Sequence, residues 1–117
     1  MKLNHLNLAV TDVAAAGQFL QKHFGLRSMG PGNDAMAGLY DDDGFALVLM
    51  RAGRDGAVSY PQSFHIGFTQ ESEEKVNEIH RRLRDDGLAV PAPARMHGAW
   101  AFYFNAPGGF MVEVACW

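Results

Sequence analysis

Polar and apolar residues alternate along Leu3-Asn4-His5-Leu6-Asn7-Leu8-Ala9-Val10. A strand with this pattern carries His5, Asn7 and Ala9 on one face and Leu6, Leu8 and Val10 on the other. The spacing then changes to a helical one, with Val13, Ala16, Leu20 and Phe24 forming an apolar stripe between Asp12 and Gly25. Asp12 predicts the N-cap and Gly25 the stop. Leu26 to Met29 follows as a short strand and Gly30 to Asp34 as a loop. Met36 to Tyr40 and Phe45 to Met50 flank Asp41-Asp42-Asp43-Gly44 and read as a hairpin. The order is β-α-β-β-β.

Residues 51–61 are rich in glycine and charge and read as a connector, after which the pattern returns. Ser63 to Phe68 is a strand containing His65, and Ser72 caps a helix from Glu73 to Asp86 striped by Val76, Ile79 and Leu83. Gly87 ends that helix. Leu88 to Val90 is a short extended piece, Pro91 to Pro93 interrupts it, and Ala99–Phe104 with Phe110–Ala115 close the chain as a hairpin around Pro107-Gly108-Gly109. The second unit is again β-α-β-β-β. Aligning the units sets His5 over His65, Asp43-Gly44-Phe45 over Gly108-Gly109-Phe110 and Val48 over Glu113. A repeat this small cannot bury its own apolar face alone. The expected organisation is one α+β domain with modules at 1–50 and 62–117.

The chain has 117 residues, 48% hydrophobic and 20% charged, enough apolar mass for a core. A net charge of -3 gives no footprint for nucleic acid, and no apolar run approaches the roughly 18 residues of a membrane span. With one cysteine, Cys116, and no signal-peptide pattern at the N-terminus, a reducing cytoplasmic setting is expected.

Glu113 lies between Val112 and Val114, where a carboxylate must be paired, ligated or facing a wet cavity. Taken singly, His5, His65 and Glu113 also fit ordinary roles, as satisfied strand histidines and a solvated glutamate. Taken together on related strands, two imidazoles and a carboxylate form a set that leaves open positions on Fe(II), Mn(II) or Zn(II). His23 and His80 read as residues of solvated helix faces. His97 fits either a pocket mouth or a plain loop, and Tyr103 either core filler or a pocket acid/base.

Asn4 to Asp12, Phe64 to Phe68 and Tyr103 to Glu113 resemble the vicinal-oxygen-chelate superfamily over essentially the whole chain. That superfamily holds glyoxalase I, fosfomycin-resistance transferases, bleomycin-resistance proteins and extradiol dioxygenases. The resemblance implies paired βαβββ modules forming a cup-shaped mixed sheet with helices outside. It implies a divalent metal on His5, His65 and Glu113, and a homodimer, in some members with each site built from two chains. Glyoxalase I has a fourth ligand where this chain has Val48. Fosfomycin transferases share the tyrosine matched by Tyr103 but need a basic residue beyond the glutamate. The sequence stops at Trp117, which leaves Arg95 as the expected substitute. Extradiol dioxygenases place their tyrosine ten residues before the glutamate, as Tyr103 is before Glu113, with an acid/base histidine upstream that His97 matches only loosely. The function implied is dioxygenase-like or lyase-like chemistry on a small chelating substrate, with Tyr103 and His97 as catalytic groups. The alternatives are thiol transfer to an antibiotic, or metal-free drug binding by Trp100, Phe102 and Met111.

Overall fold

The computed structural model describes residues 1–53 and 55–117; Arg54, in the expected connector, lies outside the described residues. The elements are β1 (His5–Val10), α1 (Val13–Phe24), β2 (Arg27–Ser28), β3 (Met36–Tyr40), β4 (Ala46–Arg51), β5 (Ile66–Thr69), α2 (Glu73–Asp85), β6 (Ala94–Met96), β7 (Ala99–Ala106) and β8 (Phe110–Cys116). The chain is an α+β fold of two βαβββ repeats. Each repeat has its own four-stranded mixed sheet, ordered β1-β4-β3-β2 and β5-β8-β7-β6. Among the described residues no helix is long and apolar enough to cross a membrane.

Two compact units result, Met1–Tyr60 with Ala106–Phe110, and Pro61–Asn105 with Met111–Trp117. This division departs from the expected module limits, because most of the connector and the β7–β8 turn belong with the first unit. The physical ties are specific. The Thr11 amide donates to Gly108 O at 2.9 Å, and the Tyr60 hydroxyl donates to Ala9 O at 2.8 Å. At Gly109, φ is 86° and an added Cβ would stand 3.1 Å from Thr11 Cγ2, so the turn needs glycine on both counts.

In the first unit the Asp12 carboxylate caps α1 by accepting from the Ala15 amide at 3.0 Å, and Gly25 ends the helix at φ 67°. Its buried side includes Val13, Ala16, Phe19, Leu20 and His23. His23 is therefore a core residue rather than one of a solvated face, its ring 5.1 Å from that of Phe19. The stripe turns further toward Phe19 than the four-residue pattern suggested. β1 runs parallel to β4, with His5 beside Ala46 and Asn7 beside Val48. In the β3–β4 turn, Asp41 Oδ1 accepts from the amides of Asp43 and Phe45.

In the second unit Ser72 caps α2 by accepting from the Lys75 amide at 3.2 Å. Its end is a Schellman closure, with Leu88 N on Leu83 O and Gly87 N on Arg84 O, and with Gly87 at φ 89°. His80, expected in solvent, is buried edge-on to Phe102 at 5.4 Å, with Nε2 3.4 Å from Val90 O. The strand after this helix is Ala94–Met96 and not Leu88–Val90. Pro91 and Pro93 lack the N–H groups that a ladder requires, so pairing begins only beyond them. β5 starts at Ile66, one residue after His65, and runs parallel to β8.

Candidate functional site

Alternation along β8 resolves the awkward glutamate. Phe110, Val112 and Val114 are buried, while Met111 and Glu113 are partly exposed on the opposite face. The neighbour of Glu113 across the parallel ladder is Gly67. An added Cβ at Gly67 would come to 3.4 Å from Glu113 Oε1, an ordinary van der Waals contact, so the carboxylate lies directly over β5.

Two side chains meet Glu113. His65 Nε2 is 3.9 Å from Glu113 Oε1, with the two side chains 35% and 12% exposed. Tyr103, from β7, sets its ring edge-on to the His65 ring at 5.2 Å and 84°. The Tyr103 hydroxyl donates to the Glu113 carboxylate. That hydrogen bond, followed by burial and the carboxylate's charge, pushes its pKa up to about 12. Tyr103 is therefore a neutral proton donor at physiological pH. The partly buried carboxylate has a charge-assisted hydrogen bond in place of lost water.

The imidazoles share a further feature. His65 Nδ1 is 2.9 Å from Ser63 O, and His5 Nδ1 is 2.7 Å from Asn4 Oδ1. Both partners are acceptors, so in each ring Nδ1 is the donor and Nε2 is the atom left to face a ligand. That is the tautomer a metal ligand needs. Ser63, Asn4 and Gly67 were not singled out as site residues by the sequence. No motif marks them, although alternation alone placed Asn4 directly before a ligand candidate.

The second unit thus gathers His65, Glu113 and Tyr103, while His5 belongs to the first unit. Among the described residues neither unit by itself groups three or more His, Cys, Asp or Glu side chains as a metal site. The donor types and the Nδ1 anchoring of both imidazoles nevertheless fit a divalent ion. The repeat alignment holds at the level of strand pairing. Val48 pairs with Asn7, two residues after His5, as Glu113 pairs with Gly67, two residues after His65. Val48 therefore occupies, in its own sheet, the place of Glu113, and offers no ligand.

Other expected residues fall elsewhere. His97 is exposed in the two-residue β6–β7 turn, at φ 50° with Gly98 at φ 81°, between the paired Met96 and Ala99. Tyr103 is four residues along β7 from Ala99, roughly 13 Å at the rise of a strand, so His97 is not brought to the group. Arg95 is committed to Glu73 at 2.8 Å and to the Trp100 ring at 5.4 Å. Trp100 Nε1 donates to Asn77 of α2, and Phe102 packs on His80 of the same helix. These three therefore serve the helix side of the sheet and do not line a pocket with Tyr103. This corrects Arg95 as the anion-binding cation and Trp100 with Phe102 as a drug-binding surface. Met111 does share the Glu113 face.

Comparison with known proteins agrees with the two-repeat α+β fold. The family model described as Glyoxalase/Bleomycin resistance protein/Dioxygenase superfamily matches residues 2–114. Among solved structures, a possible glyoxalase from Bacillus cereus is 50% identical, with 99% of each chain covered and a TM-score of 0.90. A lactoylglutathione lyase from Agrobacterium tumefaciens is 19% identical over 98% of this chain and 92% of its own, with a TM-score of 0.78. The oxidase ChaP-H2 is 25% identical over 100% and 94%, also at 0.78. The comparison with curated proteins returned no match.

Proposed function

We propose, for a chain that belongs to the Glyoxalase/Bleomycin resistance protein/Dioxygenase superfamily, a metal-dependent enzyme of lyase-like or dioxygenase-like type. Its substrate is a small molecule that presents adjacent oxygens. His5, His65 and Glu113 would hold Fe(II), Mn(II) or Zn(II). A bound ion there supplies Lewis acidity to the substrate oxygens. The observation that carries this reading is the His65–Glu113–Tyr103 group, with both candidate imidazoles held in the Nδ1–H tautomer.

The chain's own residues divide the work. Ser63 O and Asn4 Oδ1 orient the imidazoles. Tyr103 keeps its proton on the phenolic oxygen and can donate it, or a hydrogen bond, to an oxyanion that develops on the substrate. Val48 withholds a fourth ligand, which supports chemistry needing open positions over the four-ligand glyoxalase type. Thiol transfer to a phosphonate antibiotic is disfavoured because Arg95 lies with Glu73 and Trp100 on the helix side of its sheet, away from Tyr103.

The test is metal analysis after anaerobic loading with Fe(II) or Mn(II). Wild type should retain close to one ion per chain, and His65→Ala and Glu113→Gln should each lower metal affinity by more than about tenfold, ~1.4 kcal/mol. A wild-type protein that binds no ion stoichiometrically would sink the reading.

A further inference from the structure

Helix α1 leaves part of its own sheet uncovered. A helix about 10 Å across spans two strands set about 4.8 Å apart, and the first sheet has four. α1 lies over β4, where Gly17 approaches Leu49. Between its flank and the outer strands β3 and β2 is a cavity of about 360 Å³. The volume is that of a small-molecule pocket, about 300–1,000 Å³. Val13, Ala37 and Leu39 give it an apolar floor, and Gln18, Gln21 and Asp34 stand at its margin. Ala37 and Leu39 pair with Leu49 and Leu47, so the cavity is on the helix side of the sheet and not on the face of His5.

The second unit shows how the same margin closes when its residues are larger. There Trp100 and Phe102 of β7 pack against Asn77 and His80 of α2. Counted from the helix caps Asp12 and Ser72, Gly17 answers to Asn77. Gly38, the partner of Val48, answers to Tyr103, which meets Glu113, so Ala37 answers to Phe102. The first repeat thus carries glycine and alanine where its copy carries bulk. Its outer wall, the 30–34 loop, is preformed. Ser28 Oγ donates to Gly30 O at 2.7 Å and accepts from Gly30 N at 3.1 Å. Asn33 N donates to Met36 O at 2.9 Å, and an added Cβ at Gly32 would stand 2.7 Å from that same oxygen.

The polar groups left for a ligand are mainly acceptors. Asp34 is the one charged residue on the lining. It forms no ion pair among the described residues, although Arg51 borders the adjoining cleft beside it. Gln21 commits Nε2 to Gly17 O at 3.1 Å, which leaves its Oε1 to accept. Ser28 and Asn33 are taken up by the loop itself.

We propose that this cavity is a second ligand site, selective for a small organic cation with a flat apolar body, of the arylamidine type. The ring lies over Ala37 and Leu39, and the N–H groups reach Asp34 and the Gln21 carbonyl oxygen. A planar amidinium meets a carboxylate through two parallel, charge-assisted hydrogen bonds. The site goes beyond the proposed metal chemistry and does not depend on it, because the ligand set is elsewhere.

The test is a ¹H–¹⁵N titration of the full-length protein with benzamidine, with benzamide as the uncharged isostere. Saturable shifts are expected at Gly30, Gly32 and Ala37 and at the side-chain amides of Gln18 and Gln21, and none at His5 or Asn7. Benzamide should bind at least tenfold more weakly. Asp34→Asn, at an exposed position, should weaken benzamidine at least tenfold with the melting temperature unchanged. Ala37→Phe, which installs the residue of the second repeat, should abolish binding; should it fail to fold, Ala14→Phe on the exposed flank of α1 obstructs the same cavity. Equal binding of benzamide, an unaltered affinity in Asp34→Asn, shifts centred on His5 and Asn7, or no saturation would each overturn the proposal. His65→Ala should titrate as wild type does, so loss of metal binding defeats the proposed function and leaves this site standing, and the reverse result does the opposite.

Discussion

The Tyr103 hydroxyl is held protonated mainly by its hydrogen bond to Glu113, and two measurements follow. In a spectrophotometric titration Tyr103 should ionise near pH 12, and Glu113→Gln should bring that transition back toward the ordinary tyrosine range near 10. The sign for stability is fixed by linkage. A pKa raised in the folded state favours the protonated form, so this contribution is complete below about pH 10 and is lost as pH rises toward 12. Tyr103→Phe should leave metal affinity within about twofold while lowering kcat by on the order of 10²-fold, as loss of a positioned proton donor does. A kcat unchanged by that substitution would remove Tyr103 from the chemistry. At this level alternation and repetition together singled out His65 and Glu113, whose side chains stand 3.9 Å apart. They were less informative where a side chain's partner comes from elsewhere. Arg95, Trp100 and Phe102 looked available because nothing local announces Glu73, Asn77 and His80 on a helix twenty-odd residues away. Parity along β7 did carry the warning, since Trp100 and Phe102 fall on the face opposite Tyr103.

The helices kept their predicted limits, α2 to within one residue at its end, because each end is written in local chemistry. Asp12→Ala should cost about 1 kcal/mol through loss of the cap on α1, read as a drop in thermal or denaturant midpoint. Gly25 sits at φ 67° with open space where a Cβ would go, so Gly25→Ala should cost roughly 1–2 kcal/mol from backbone conformation alone. His97 occupies a left-handed position in a tight turn, where asparagine is more at ease. His97→Asn should therefore keep or slightly raise stability and leave metal binding unchanged. The strands were less legible. β6 moved past the prolines because its existence depends on a partner in β7, and partnership is not visible in a three-residue run. β5 begins at Ile66, just after His65, whose Nδ1 lies 2.9 Å from Ser63 O.

A homodimer in which His5 of one chain completes the His65–Glu113 pair of the other would satisfy the proposed ligand count. The check is subunit mixing. His5→Ala and His65→Ala proteins, each deficient alone, should on random pairing recover roughly a quarter of wild-type sites, because one site in each mixed dimer is intact. No recovery after verified exchange would place all three ligands within one chain. The βαβββ repeat and its α+β class were readable from pattern, but the unit boundary was not. Nothing between residues 51 and 61 reveals that the tip of the last hairpin belongs with the first sixty residues.

That tip has a consequence for how the protein is made. The Thr11 amide is satisfied by Gly108, and Gly108 and Gly109 pack on Ala16, Thr11 and Val58. On the ribosome the opening unit must therefore wait for residues 106–110 before it can finish, so folding of that unit from its first sixty residues alone is not open to this chain. A fragment ending at Tyr60 should show fast amide exchange at Thr11 and along the start of α1. Adding the remainder as a separate polypeptide should slow it, and the intact chain should unfold in one cooperative step despite its two sheets.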